Sequence, residues 1–233
     1  MMQQLPLRMR LRESARFASF VVGGNAQACA ALQGQGRDAP RVVWLWGRAG
    51  TGKTHLLQAA CAAAGEGGET AAYLDLGAAP ASAMLEGCES LALVCLDGLE
   101  KVAPDADWNA AIFRLHTLLQ DGPGRLVIAS GAPPAGLPFT LPDLRSRLLA
   151  ADLHQLVELD EAGQREALRL RAAGRGLDLS EEAALYLVHR LPRDLHSLFA
   201  VLDRLDVASL AAQRRLTIPF LRDELEKRPG TVT

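Results

Sequence analysis

The residues best suited to chemistry form a glycine-rich segment, Gly47-Arg48-Ala49-Gly50-Thr51-Gly52-Lys53-Thr54. It fits the P-loop pattern G-x-x-x-x-G-K-T, in which glycines let backbone N–H groups turn inward around phosphate oxygens. We expect Lys53 to reach the β- and γ-phosphates of a nucleotide and Thr54 to ligate Mg²⁺. The loop, with His55 directly after it, is therefore a candidate nucleotide-binding site, and the alternative is a chance glycine-rich loop.

A candidate acidic residue ends the apolar run Leu93-Val94-Cys95-Leu96-Asp97. This is a Walker B pattern, in which Asp97 would hold Mg²⁺ through water. The next residue is Gly98, where a hydrolytic ATPase of this kind normally carries an acid that activates water. Glu100 comes two residues later and need not point at the γ-phosphate. We therefore expect weak intrinsic ATP hydrolysis, which a glutamate at position 98 would raise.

Alternating strands and helices are predicted to position these residues. A buried strand at 42–46 precedes the loop and a helix at 54–64 follows it, which is the context that a P-loop requires. Further strands are predicted at 72–76, 91–96 and 126–129, and further helices at 81–86 and 108–120. This alternation predicts an α/β domain with a parallel sheet flanked by helices.

The pattern changes near Asp160, after which every predicted element is helical. The helices are expected at 161–173, 181–191, 193–212 and 219–227. The sequence thus predicts a tail at 1–16, an α/β domain at 17–159 and a small all-helical domain at 160–233.

Composition excludes several functional classes. A net charge of −2 gives no basic field for nucleic acid. The four cysteines have no metal-ligand spacing, which favours a reduced, cytoplasmic compartment. No run of about 18 apolar residues predicts a membrane span, and residues 1–16 lack the apolar segment of a signal peptide.

Several motifs in this order resemble those of the AAA+ ATPases. Besides the P-loop and Walker B strand, they are Ser130 at a strand end, the arginines of Leu144-Arg145-Ser146-Arg147-Leu148, and Pro192-Arg193-Asp194-Leu195 in the helical domain. Phe17-Ala18-Ser19-Phe20 with Gly24-Asn25 resembles the opening of the DnaA/DnaC clade. Two longer phrases are similar to the Hda family of DnaA-homologous regulators: Leu141-Pro142-Asp143-Leu144-x-Ser146-Arg147-Leu148 and Arg215-Leu216-Thr217-Ile218-Pro219-Phe220. The resemblance implies an AAA+ P-loop domain followed by a helical lid.

The resemblance also implies roles for three residues. Ser130 falls at sensor 1, near the γ-phosphate; Arg147 falls at the arginine finger, which reaches a neighbouring subunit's nucleotide; and Arg193 falls at sensor 2 on the lid. Each has an alternative: Ser130 as a strand-end hydroxyl, Arg145 as the finger instead of Arg147, and Arg193 as the ion-pair partner of Asp194.

The segment Gln4-Leu5-Pro6-Leu7-Arg8-Met9 is similar to the sliding-clamp-binding peptide of the Hda family. In such a peptide Leu5, Leu7 and Met9 would enter an apolar pocket, while the Gln4 amide fixes the register by hydrogen bonds. The alternative is an ordinary frayed tail.

The resemblance implies a regulator that binds ADP or ATP with Mg²⁺, the sliding clamp and DnaA, and that promotes hydrolysis of DnaA-bound ATP. Self-association is left open. Because the sequence ends at Thr233, we expect no sequence-specific DNA-binding domain of the DnaA kind. The alternatives are a helicase loader of the DnaC type and a self-sufficient ATPase, the latter disfavoured by Gly98.

Overall fold

The computed structural model describes residues 15–34, 39–79, 81–192, 194–212 and 216–226. The predicted clamp-binding residues Gln4, Leu5, Leu7 and Met9 lie outside these ranges, and so does the sensor 2 candidate Arg193. The described residues divide between two compact units, one ending at Val157 and the other starting at Glu158.

The N-terminal unit is built on a five-stranded parallel sheet with the order β2-β3-β4-β1-β5. The strands are β1 (Val42–Trp46), β2 (Ala71–Asp75), β3 (Leu93–Asp97), β4 (Arg125–Ser130) and β5 (Asp152–Gln155). Strands β1, β3 and β4 are apolar and almost wholly buried, as expected of a parallel sheet covered on both faces. The predicted α/β fold is confirmed.

Four helices belong to this unit: α1 (Ala26–Gln33), α2 (Lys53–Glu66), α3 (Ala106–Asp121) and α4 (Pro142–Leu149). They cover two hydrophobic clusters. One cluster contains Leu56 and Leu57 of α2, and the other contains Ile112 and Leu115 of α3. The helix predicted at 81–86 is a shorter 3₁₀ turn, Ser82–Leu85.

Strand β5 is absent from the sequence-based prediction. Its sequence, Asp-Leu-His-Gln, has no apolar alternation, and three of its four residues are exposed. It pairs only with β1, at the edge of the sheet, where a strand needs little buried surface.

The C-terminal unit contains α5 (Glu161–Ala173), α6 (Glu181–Arg190), α7 (Leu195–Ala212) and α8 (Ile218–Glu226). They surround a core that includes Leu187, Leu202 and Phe220. Ser180 caps α6, because its hydroxyl accepts a hydrogen bond from the backbone N–H of Ala183 at 3.2 Å. The all-helical prediction is confirmed for this unit.

Within the part of the chain that the structure describes, no helix has the length and apolar character needed to cross a bilayer.

Candidate functional site

The P-loop connects the end of β1 to the start of α2, so its backbone lies at the carboxyl edge of the sheet. The ammonium group of Lys53 donates to the carbonyl oxygens of Gly47 at 2.6 Å and Arg48 at 2.7 Å. Burial lowers the pKa of Lys53, and the negative charges of Glu100 and Asp97 partly oppose that shift. Thr51 is buried and donates to the Arg48 carbonyl at 3.0 Å, which closes the loop.

Asp97 accepts hydrogen bonds from two side chains of the site. Its Oδ2 accepts a hydrogen bond from the Thr54 hydroxyl at 2.6 Å and another from the Tyr73 phenol at 2.8 Å. The residue lies at the end of β3 and is only 8% exposed. Burial, followed by the nearby charge of Asp97, raises the pKa of Tyr73, so the phenol stays protonated and donates.

Ser130 is the last residue of β4, which lies between β3 and β1 in the sheet. It pairs with Trp46, the last residue before the P-loop, while Asp97 on β3 pairs with the preceding Ala129. The hydroxyl of Ser130 is fully buried and accepts from the backbone N–H of Ala132 at 3.3 Å. The predicted sensor 1 residue therefore lies on the strand between Asp97 and the P-loop.

Gly98 redirects the chain immediately after Asp97. Its φ of 77° lies in the left-handed region that favours glycine. A Cβ at this position would lie 3.2 Å from the Lys101 side chain. A glutamate at 98 would start from a strained backbone with its Cβ against Lys101, so the structure does not favour the expectation that it would supply the missing acid.

Glu100 lies in the 3₁₀ turn that comes next, Leu99–Lys101. Its Oε2 accepts a hydrogen bond from the backbone N–H of Gly131 at 3.1 Å, directly after Ser130. Glu100 thus turns back toward the end of β4, where its charge acts on Lys53. The carboxylate is held next to the site, although its sequence position alone does not indicate this.

The aromatic segment before α1 packs on the P-loop. A Cβ at Gly52 would lie 2.6 Å from the Phe20 ring, so only glycine allows this approach. His55 contacts the same segment, with Nε2 at 2.9 Å from the Arg16 carbonyl oxygen and 3.4 Å from the Ser19 hydroxyl. A contact of His55 with nucleotide stays a prediction.

The two finger candidates lie on α4 and make different contacts. The guanidinium of Arg147 lies 4.5 Å from the centre of the Phe113 ring and donates to the Thr117 hydroxyl at 2.9 Å, both on α3. Arg145 instead donates to the Ala135 carbonyl at 3.3 Å. Both arginines are exposed.

Sequence reasoning missed Tyr73, Phe113 and Thr117. Tyr73 looks like any strand residue, and Phe113 and Thr117 lie at ordinary helix positions, so only the folded chain reveals that they contact Asp97 and Arg147.

These residues fit a nucleotide with Mg²⁺. The Thr54 hydroxyl and the Asp97 carboxylate are oxygen donors of the kind that Mg²⁺ prefers, and the Lys53 ammonium lies near enough for the charge of Asp97 to act on it. Lys53 would hold the phosphates, while Thr54 and Asp97 would hold the metal.

Comparisons with known proteins agree with this geometry. Residues 160–225 match the family model described as "Hda, lid domain". The chain is similar to domain III of the replication initiator DnaA from Thermotoga maritima, with a TM-score of 0.78 and 21% identity over 92% of this chain and 96% of that one. It is also similar to AMPPCP-bound DnaA from Aquifex aeolicus, with a TM-score of 0.68 and 24% identity over 83% and 65% of the two chains.

A more distant similarity links the chain to the RuvB Holliday junction branch migration motor of Thermotoga maritima. The TM-score is 0.61 at 14% identity, over 85% of this chain and 64% of that one. The structural matches show that the chain shares its fold with domain III of DnaA, and the family model matches most of the C-terminal unit. The chain is therefore similar to DnaA in its fold and to the Hda family in residues 160–225.

Proposed function

We propose that this protein regulates replication initiation by promoting hydrolysis of ATP bound to DnaA while it is attached to the sliding clamp. The observation that carries this proposal is the match of the C-terminal unit to the Hda lid family, on a fold shared with DnaA. A protein built like DnaA is suited to packing beside DnaA as one AAA+ subunit packs beside another.

The protein's own site would bind ADP or ATP with Mg²⁺. This part of the proposal is supported by the hydrogen bond between Thr54 and Asp97 and by the charge of Asp97 acting on Lys53. Solved DnaA structures of the same fold contain AMPPCP. Bound nucleotide would stabilise the form of the protein that meets DnaA, with Ser130 near the γ-phosphate and Arg193 as the lid's phosphate contact.

Intrinsic hydrolysis would be slow. The residue after Asp97 is glycine in a left-handed conformation, and the nearest candidate base, Glu100, is engaged with the Gly131 N–H. General-base assistance is worth roughly 10²- to 10⁴-fold, so its loss is easily measured.

Arg147 would act on the nucleotide of DnaA. Stacking on Phe113 holds the guanidinium by its face and leaves N–H groups along its edge to donate to phosphate oxygens. Such a residue supplied in trans stabilises the charge that develops on the phosphoryl group as the bond breaks. Arginine fingers supplied by partner proteins of GTPases are worth about 10³- to 10⁵-fold in rate.

The test is hydrolysis of DnaA-bound ATP in the presence of clamp loaded on DNA. We expect the parent protein to accelerate it, and Arg147→Ala to lose the acceleration while still binding nucleotide and clamp. Arg147→Lys should fail nearly as badly, because lysine lacks the planar fork. Arg145→Ala is the matched control and should be close to the parent.

Failure of Arg145→Ala alone would move the finger to Arg145. If the parent protein leaves DnaA-bound ATP unaffected, the proposal is wrong and a helicase loader of the DnaC type becomes the better hypothesis.

A further inference from the structure

Two donors share one oxygen of Asp97. The Thr54 hydroxyl and the Tyr73 phenol both donate to Oδ2, at 2.6 and 2.8 Å. A P-loop threonine is expected near this carboxylate, because it belongs to the same metal site. The phenol is not part of either motif. It comes from β2, the neighbouring strand, and it requires its own explanation.

The sheet brings Tyr73 to this position. In the β2–β3 pairing Tyr73 lies beside Cys95 and Asp75 lies beside Asp97. Residues 95 and 97 share one face of β3 because side chains alternate along a strand. Tyr73 packs against the cluster beneath α2, which includes Cys95, and its ring extends toward the end of β3. The phenol therefore reaches Asp97 from the neighbouring strand β2.

Gln58 is a buried polar neighbour of the phenol. It is one helical turn after Thr54 on α2, is only 6% exposed, and partly opposes the rise in the pKa of Tyr73. A tyrosine hydroxyl has a single proton, and here that proton is donated to Asp97. The Tyr73 phenol is thereby oriented toward the carboxylate.

We propose that Tyr73 is a positioning residue for Mg²⁺, because its hydrogen bond to Oδ2 fixes the orientation of the Asp97 carboxylate that would hold the metal. This inference rests on the proposed nucleotide site and adds the residues that tune its metal. A carboxylate fixed by two donors keeps one orientation. The Asp97 side chain therefore loses less conformational entropy when Mg²⁺ and nucleotide bind. Loss of an outer partner of a metal ligand typically costs about 10- to 100-fold in metal affinity or activity.

The test separates metal binding from nucleotide binding. ADP affinity is measured by calorimetry for the parent and for Tyr73→Phe, first in EDTA and then across a MgCl₂ titration. We expect equal affinities in EDTA, within about twofold. The MgCl₂ concentration that gives half of the affinity gain should rise about tenfold or more in Tyr73→Phe. Tyr186→Phe, which changes the chain's only other tyrosine, should match the parent throughout.

Gln58→Leu provides a second variant that keeps the phenol in place. It should shift the MgCl₂ midpoint in the same direction by a smaller factor, because the phenol loses a buried polar neighbour while its bond to Asp97 stays. This variant decides the question if Tyr73→Phe unfolds at a lower temperature without ligand.

An unchanged MgCl₂ midpoint in both variants would overturn the inference. So would an equal loss of ADP affinity with and without Mg²⁺, since that would assign Tyr73 to the shape of the site. If the parent does not bind ADP at all, the proposed nucleotide site itself is contradicted. Lys53→Ala serves as the control that is expected not to bind ADP.

Discussion

Gly98 determines the path of the chain after the Walker B strand. Its left-handed turn ends β3 at Asp97 and directs the next residues into the 3₁₀ turn that contains Glu100. An acid next to Asp97 would be strained in this left-handed conformation. The choice of glycine is therefore linked to the unusual position of the nearest acid, two residues further along.

Replacing Gly98 should destabilise the protein without improving catalysis. We expect Gly98→Ala to lower the free energy of unfolding by about 1–2 kcal/mol, because an L side chain is strained at this φ. Gly98→Glu should be no more stable and should not raise intrinsic ATP hydrolysis. Urea unfolding and phosphate release measure the two effects.

The matched control is Gly65→Ala within α2, where a Cβ meets no atom within 4 Å and φ is not positive. That substitution should be neutral or stabilise by up to about 1 kcal/mol. A Gly98→Glu protein that hydrolyses ATP faster than the parent would contradict our account of the turn.

His116 makes the N-terminal unit sensitive to mild acid. The side chain is buried in α3 and its Nδ1 has no hydrogen-bond partner within the described residues. Burial lowers the pKa of His116, and the positive charge of Arg147 lowers it further. The folded protein therefore resists protonation that the unfolded chain accepts.

This difference sets the direction of the pH effect. Below the ordinary histidine pKa of about 6.5, the unfolded chain binds more protons, so the free energy of unfolding falls as the pH falls. Above that value His116 is neutral in both states and the effect vanishes. We expect His116→Gln to reduce the loss of melting temperature between about pH 7.5 and 5.5. An identical loss in parent and variant would assign the acid sensitivity to other groups.

Helix α3 supports two parts of the molecule at once. One face contributes Ile112 and Leu115 to the core beneath it, while Phe113 and Thr117 contact Arg147 on α4. Positions 113 and 117 are four residues apart, so they lie on the same side of the helix. The finger candidate is thus held by a packed element of the fold.

Phe113→Leu should weaken the proposed action on DnaA while leaving the chain folded. Without the ring, the Arg147 side chain must be ordered when DnaA arrives, which costs about 0.5–1.5 kcal/mol, or roughly 2- to 10-fold in stimulated hydrolysis. The protein's own ADP affinity should not change. Leu118→Ala, at an exposed neighbouring position on α3, should behave as the parent. Greater stimulation by Phe113→Leu would indicate that the α3 contact restrains the finger.

Strand β5 and the pair Tyr73–Asp97 show where sequence reasoning stops. Apolar runs predicted the central strands because a strand covered on both faces must be apolar throughout. An edge strand has no such requirement, so β5 gave no signal. The shared location of the P-loop and Asp97 could be predicted because each lies at the carboxyl end of an apolar strand of one parallel sheet. The Tyr73 contact depends on strand pairing across the chain, which no local pattern records.

The two units differ in the features by which each resembles known proteins. The N-terminal unit contains the P-loop and the Thr54–Asp97 hydrogen bond, and residues 160–225 of the C-terminal unit match the Hda lid family. In the lid, arginines near the end of α5 pair with acids on α7: Arg171 with Asp203 at 3.2 Å, and Arg175 with Asp206 at 3.4 Å. Each pair is partly exposed and worth little alone, so the apolar core dominates the stability of that unit.

Deletion of residues 1–10 should separate clamp binding from folding. We expect the truncated protein to lose capture by immobilised sliding clamp, because the proposed contact residues Gln4, Leu5, Leu7 and Met9 are removed. The free energy of unfolding should change by less than about 0.5 kcal/mol, since both sheet-covering clusters lie after residue 16. Gln4→Ala is the point-mutant counterpart, and capture of both variants at the parent's level would disprove the peptide hypothesis.

All four cysteines are free and buried, and all of them lie in the N-terminal unit. Burial raises the pKa of the Cys95 thiol well above its ordinary value, which suppresses the thiolate that alkylating reagents attack. Cys61 and Cys95 lie in the cluster between α2 and the sheet, directly behind the P-loop and Asp97. Reagent can reach them only when that layer opens. The rate of cysteine alkylation in the native protein therefore reports how often the N-terminal unit opens. It does not report opening of the C-terminal unit, which contains no cysteine.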